Sequence, residues 1–213
     1  MTAGAGVVHS EMPEEFLHTG GNLHGVQLWV NLPQRDKMIK PHYQDVLSLK
    51  IPITQTEDGA VKVKVIAGEA LGTHAIIKTR TPVLYLHFTL KPGAKVVQQV
   101  PNEYNAFAYI IDGEAMFDPA EKQKTAKMGQ MVIFDNNGEV VLSAPATDDS
   151  NNTTSRSTPD VLLIGGAPLN EPVARYGPFV MNTKEEILKA IEDYRTGHMG
   201  EIAIQCTHCL YLQ

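Results

Sequence analysis

Cysteine is nearly absent. Only Cys206 and Cys209 occur in 213 residues, and one C-x-x-C supplies half of the four ligands that a structural zinc ion takes. No second C-x-x-C exists, and neither a helix start nor a βαβ pattern accompanies the pair, so neither a zinc module nor a thioredoxin-type site is expected. The pair reads as incidental to a frayed tail. Basic charge is also short: 18 Lys and Arg stand against 24 Asp and Glu, a net charge of −6. Without a basic run to neutralise phosphates, broad electrostatic binding to nucleic acid is excluded. No apolar stretch approaches the length of a bilayer span. Met1–Gly6 lacks the basic and apolar regions of a signal peptide. The expected compartment is therefore intracellular and reducing, where the Asn151 and Asn152 sequons are polar loop residues. G-x-S-x-G, P-loop and dinucleotide fingerprints are missing too. Trp29 is the only tryptophan. Its alternation with Gln27 and Asn31 predicts partial burial against a neighbouring sheet rather than ligand stacking.

What is present is mostly β. A hydrophobic content of 43% suits a globular protein with a real core. Strict alternation predicts a strand over Ala60–Ile66 with Val61, Val63 and Val65 inward. The same rule marks Gly25–Leu32, Pro82–Leu90 and Asn105–Ile111, the last turning at Asp112-Gly113 into Glu114–Phe117. Gly129–Phe134 and Glu139–Leu142 flank Asp135–Gly138 and read as a hairpin, while the apolar run Val161–Ile164 reads as a buried strand. The charged stretch Asp118–Lys127 reads as a solvated loop, and Pro145–Pro159, rich in Ser, Thr, Asn and Asp, as a flexible one. One helix is predicted, over 183–196. Asn182 would cap it with Glu185, Ile187, Leu188, Ile191 and Tyr194 would form its apolar stripe, and Gly197 would stop it. Many short strands and one late helix indicate a β-sandwich or barrel.

The chemistry-bearing feature is His9-Ser10-Glu11. On an extended strand the i, i+2 spacing puts an imidazole and a carboxylate on one face. Together they are competent toward a transition metal but too few to hold it alone. His18 and His24, either side of a flexible segment, are poor candidates for the remaining positions. His87, on an apolar strand, reads as a hydrogen-bonded barrel histidine, and His42, beside Tyr43, as a surface or packing residue.

The stretches Met1–Pro13, His24–Pro33, Lys37-Met38, Pro41–Gln44, Ile66–Gly72, Thr79–Pro82, Tyr85–Phe88, Gly165–Val173 and Tyr176–Thr183 resemble, in one register, the signatures of the pirins. The resemblance runs from Met1 to about Gly200. It implies an all-β bicupin of two cupin-type (jelly-roll) barrels. Residues 1–50 would form part of the first barrel, residues 51–200 the complete second barrel with the C-terminal helix, and 201–213 a divergent tail. It further implies an iron ion, or another divalent metal, held by three histidines and one glutamate, of which the H-x-E pair falls on His9 and Glu11. The family's other two histidines lie in an H-x-H-like stretch that this sequence lacks, so the chain is expected to begin inside the first barrel. Where a metal-binding cupin would carry ligands in the second barrel, this chain has Gln98–Tyr104, with Glu103 alone. The second barrel is expected to be a structural or interaction module. By the same resemblance the protein would act in nucleus and cytoplasm as a regulator that binds a transcription factor or a G-protein α subunit. The alternative is a quercetin 2,3-dioxygenase, in which Glu11 would take the flavonol proton. Because half the ligand set is missing, binding ranks above catalysis. An incomplete barrel leaves sheet edges open, so residues 1 to about 50 are expected to be mobile or aggregation-prone and 55–195 to hold together.

Overall fold

The protein is described from a computed structural model, which describes residues 1–9, 20–22, 24–117, 124–135, 138–146 and 158–200. The Cys206/Cys209 pair, the tail 201–213, Glu11, His18 and most of the loop between Pro145 and Pro159 lie outside the described residues. The chain divides into two compact units. One joins Met1–Ser48 to Leu169–Gln213, and the other is Leu49–Pro168.

The central unit is a two-sheet β-barrel. Its strands are β1 (Ile53–Gln55), β2 (Val61–Ala67), β3 (Glu69–Ala70), β4 (Thr73–His74), β5 (Val83–Leu90), β6 (Lys95–Gln99), β7 (Asn105–Asp112), β8 (Glu114–Phe117), β9 (Lys124–Lys127), β10 (Met131–Phe134), β11 (Glu139–Ser143) and β12 (Asp160–Gly166). A six-stranded sheet runs β1-β2-β5-β12-β7-β10, a four-stranded sheet runs β6-β11-β8-β9, and β3 and β4 form a small hairpin. Alternation places every second side chain inside. Val61, Val63 and Val65 of β2 are fully buried, as the sequence predicts, and so are Leu86, Phe88 and Leu90 of β5. β12 sits between β5 and β7 and is buried on both faces from Val161 to Ile164, which is why it reads as an unbroken apolar run. Phe117 and Phe134 meet inside at 5.7 Å between ring centroids.

Two expectations fail here. β10 and β11 are not a hairpin: β10 pairs with β7, and β11 pairs with β6 and β8 in the other sheet. An Asn-Gly signal specifies a turn but not which strands the chain joins on either side of it. Lys124–Lys127 is no solvated loop but the edge strand β9, registered on β8 from Glu114↔Lys127 to Phe117↔Lys124. Its charged residues suit a sheet edge, while Ala126 points into the core.

The terminal unit is built differently. It holds the hairpin β13 (Ala174–Tyr176) and β14 (Phe179–Met181) and the helix α1 (Lys184–Arg195). The helix thus groups with residues 1–48 rather than with the barrel before it in sequence. Its cap is one residue later than expected. Thr183 accepts from the Glu186 N–H (3.2 Å), and the Glu186 carboxylate accepts from the Thr183 N–H (2.9 Å), a reciprocal capping box. The buried face is Ile187 and Ala190, whereas Leu188 and Tyr194 of the expected stripe are exposed. Gly197, at φ +78°, ends the helix as expected.

The N-terminal residues are laid along the chain by backbone bonds. Thr2 and His42 exchange N–H···O contacts of 2.7 and 2.9 Å, and the Ala5 N–H donates to the Ile39 carbonyl at 2.9 Å. Among the described residues, Gly25–Leu32, expected as a strand, joins no sheet. Alternation alone does not make a strand, which needs a neighbour for its backbone. Trp29 accordingly is not packed on a sheet but is 56% exposed.

Candidate functional site

His9 is exposed and belongs to no strand, and Glu11, its expected neighbour on one face, lies outside the described residues. The preceding residue, Val8, donates its N–H to the Met199 carbonyl at 3.2 Å. His24 and His42 are exposed as well. His74 lies 3.4 Å from Glu69 on the small hairpin, and His198 lies 3.8 Å from Asp193 beyond the helix. Among the described residues no three His, Cys, Asp or Glu side chains converge as a metal site. Glu11, which the resemblance pairs with His9, lies outside the described residues, so the described residues alone make up no complete set of ligands for the iron that the resemblance implies.

The barrel interior is filled with hydrocarbon. Phe88, Leu86, Leu90, Ile110, Leu142 and Leu163 are fully buried there. Gln98 is the buried polar side chain of β6, and its Nε2 donates to the Glu69 and Gln99 carbonyls at 3.2 and 2.8 Å. Both bonds are internal, so the amide is committed to holding backbone. At one end of the barrel, Val100, Pro101, Tyr104, Ala106, Phe134 and Val140 line a cleft of about 10 Å³, the space of a single water. Burial pushes the Tyr104 hydroxyl above its ordinary value of 10.0, with the Glu103 carboxylate adding to the shift. On the flank of the large sheet, Asp160 Oδ1 accepts from Thr89 Oγ1 at 2.6 Å and meets His87 Nε2 at 3.2 Å. His87 is thus the hydrogen-bonded barrel histidine its strand suggests.

The terminal unit holds the most polar arrangement, which no local spacing announces. Lys37 is buried, and its Nζ donates to Asn31 Oδ1 at 2.6 Å and to the Val180 carbonyl at 3.2 Å. Burial pushes this ammonium below its ordinary 10.5, opposed by the charges of Glu171 and Glu186. Glu171 Oε2 accepts from the Gln34 N–H (2.7 Å) and from Asn182 Nδ2 (3.1 Å). Glu186 Oε2 accepts from the Asn182 N–H at 2.9 Å, in addition to its capping bond. Asn182 also donates to the Pro172 carbonyl at 3.0 Å, while its Oδ1 is buried without a donor among the described residues. The cluster ties residues 31–37 to 171–186, more than 130 positions apart in sequence. Each bond joins residues that are ordinary surface types when read singly, so only the fold reveals them as a set.

Around this polar clasp the unit presents apolar side chains. Val26, Trp29, Val30, Tyr43, Val173 and Tyr176 are all about half exposed or more. The Arg175 guanidinium lies over Trp29, 5.6 Å from its centroid, a cation–π contact between an N-terminal and a C-terminal segment.

A family model described as the pirin C-terminal cupin domain matches residues 85–200. A pirin-like protein of Solanum lycopersicum is 44% identical over 200 residues, covering 94% of this chain and 63% of that protein. Pirin of Homo sapiens is 43% identical over 202 residues, covering 94% of this chain and 64% of that protein. The chain thus spans less than two thirds of the length of these relatives. Among solved structures, a quercetin 2,3-dioxygenase from Acinetobacter baumannii superposes with a TM-score of 0.71 at 30% identity, over 82% of this chain and 56% of that one. The fold is the cupin jelly roll, and among the described residues α1 is its α-helix.

Proposed function

The chain belongs to the pirin family, and on that premise we propose that it works as a regulatory binding protein rather than through a metal-dependent reaction. The observation that carries this reading is the apolar surface of the terminal unit, where Val26, Trp29, Tyr43 and Tyr176 are all half exposed or more. His9 stands exposed on irregular backbone, and the terminal unit displays Trp29, Tyr43 and Tyr176 to solvent, the residue types that anchor protein interfaces. Partners of the kind the family resemblance implies are a transcription regulator or a G-protein α subunit, met in nucleus or cytoplasm.

Direct binding of purified protein to such a partner, with and without chelator, tests the reading. Unchanged binding after chelation is expected. Binding that needs a metal contradicts it.

The competing reading is a quercetin 2,3-dioxygenase, favoured by the likeness to the Acinetobacter enzyme. It requires quercetin turnover with added Fe(II) that falls to background in His9→Ala. Turnover no higher than background in the unsubstituted protein removes this alternative.

A further inference from the structure

Trp29 and Arg175 lie far apart in the sequence, yet a closed set of contacts within the terminal unit holds them together. Asn31, two residues after Trp29, accepts from Lys37 Nζ at 2.6 Å. The same Nζ donates to the Val180 carbonyl at 3.2 Å. Val180 pairs with Arg175 across the β13–β14 hairpin, and the Arg175 guanidinium lies over Trp29, 5.6 Å from the ring centroid. Residues 29–31 are thus tied to the hairpin at two points.

The electrostatics of this surface are one-sided. Residues 25–34 carry no charge, and residues 172–183 carry a single one, Arg175. Arg175 is exposed. Among the described residues no carboxylate pairs with it and no acceptor takes its N–H groups. Glu171 and Glu186, which flank the hairpin in sequence, are committed to backbone N–H groups and to Asn182. The tryptophan ring therefore holds the cation in place without neutralising it. Trp29 itself stays 56% exposed, and Val173, two residues before Arg175, 63% exposed.

An anchored guanidinium with unspent N–H groups takes a carboxylate as a two-pronged pair. One positive charge balances one carboxylate, whereas phosphopeptide sites gather several cations, and neither segment holds a second. Apolar side chains beside the carboxylate would be received by Trp29 and Val173.

We propose that this surface docks an acidic segment of a partner protein, in which a carboxylate seated on Arg175 is flanked by apolar side chains that lie on Trp29 and Val173. The proposal rests on the binding reading above and names the chemistry of the partner.

Titration of the full chain with blocked peptides of equal length, followed by tryptophan emission, tests it. Because Trp29 is the sole tryptophan, all of that signal comes from the proposed surface. A peptide alternating Asp and Leu should bind saturably and more weakly as NaCl is raised. Peptides with Lys in place of Asp, or Ser in place of Leu, should bind at least about tenfold more weakly. Arg175→Gln should weaken the Asp–Leu peptide by a similar factor, and Arg175→Lys, which keeps the charge but loses the fork, should fall between. Lys95→Gln, loss of an exposed cation in the barrel unit, should leave binding unchanged. No binding of the Asp–Leu peptide, or binding undiminished in Arg175→Gln, overturns the proposal. Tighter binding of a peptide with phosphoserine in place of Asp overturns the carboxylate assignment. An emission shift with protein concentration alone gives the surface to a second copy and overturns it too. A regulator bound equally well by Arg175→Gln overturns this inference and leaves the binding reading intact, whereas binding that needs a metal overturns that reading.

Discussion

Glu186 holds two backbone N–H groups at the start of α1, and its removal should cost the terminal unit more than an ordinary helix cap. Its Oε2 accepts from Asn182 and from Thr183, both at 2.9 Å. The two donors differ in their access to water. Asn182 is buried, at 6% exposure, so in Glu186→Ala its N–H loses its acceptor in a place that water does not reach, a loss of about 1–3 kcal/mol. Thr183 is exposed, so water replaces the carboxylate there and the cost is a few tenths of a kcal/mol. Loss of a carboxylate from the first turn adds about 0.3–1 kcal/mol through the helix dipole. The sum is about 2–4 kcal/mol. Glu186→Gln keeps an acceptor in place and should cost about 1 kcal/mol or less. Urea unfolding followed by Trp29 emission measures this, since the only tryptophan lies in the same unit. A loss below about 0.5 kcal/mol for the alanine variant, within the range of ordinary surface changes, would refute the view that Asn182 depends on Glu186. So would a glutamine variant as unstable as the alanine one.

Phe88→Ala should lower barrel stability by about 3–5 kcal/mol, because Phe88 is fully buried in a core with no chamber to absorb the gap; thermal unfolding by far-UV circular dichroism checks this. Leu71 takes φ +46° at the tip of the β3–β4 hairpin, a strained region for leucine. Leu71→Asn should therefore stabilise the protein by up to about 1 kcal/mol in the same assay. The two units should answer alkali with opposite sign. Lys37 is held below its ordinary 10.5, so between its folded value and 10.5 the unfolded chain binds more protons, and the terminal unit gains stability as pH rises through that window. Burial raises the Tyr85 hydroxyl above 10.0, so above that pH the folded barrel keeps a proton that the unfolded chain releases, and the barrel loses stability. Urea midpoints across pH 9–11, read by Trp29 emission for the first unit and by far-UV circular dichroism for the second, separate the two slopes.

The barrel was largely legible because its information is local. In β2, β5 and β7 a two-residue period of apolar inward positions, valine in β2, leucine and phenylalanine in β5, alanine and isoleucine in β7, leaves few alternatives, and the strands fall within a residue or two of expectation. What local pattern did not carry was partnership. The same alternation that makes β5 a strand occurs over Gly25–Leu32, which joins no sheet among the described residues. β10 and β11 look like neighbours by their turn and are placed in different sheets. β9 is short and charged, and only its register on β8 makes it a strand. Capping shifted by one residue because Asn182 and Thr183 are both good caps, and Asn182 is drawn away by Glu171 and Pro172. At the candidate site the exposure of His9 was not readable from its spacing to Glu11. The Lys37–Asn31–Glu171–Asn182 clasp was invisible because its members are scattered along the chain and carry no motif spacing.

The central claim is that this chain acts through its surface and not through a bound metal. Metal content per chain, measured by mass spectrometry on protein purified without chelator, tests it most directly. Substoichiometric iron, no different in His9→Ala, is the predicted result. One tightly held ion per chain that disappears on His9→Ala would contradict it.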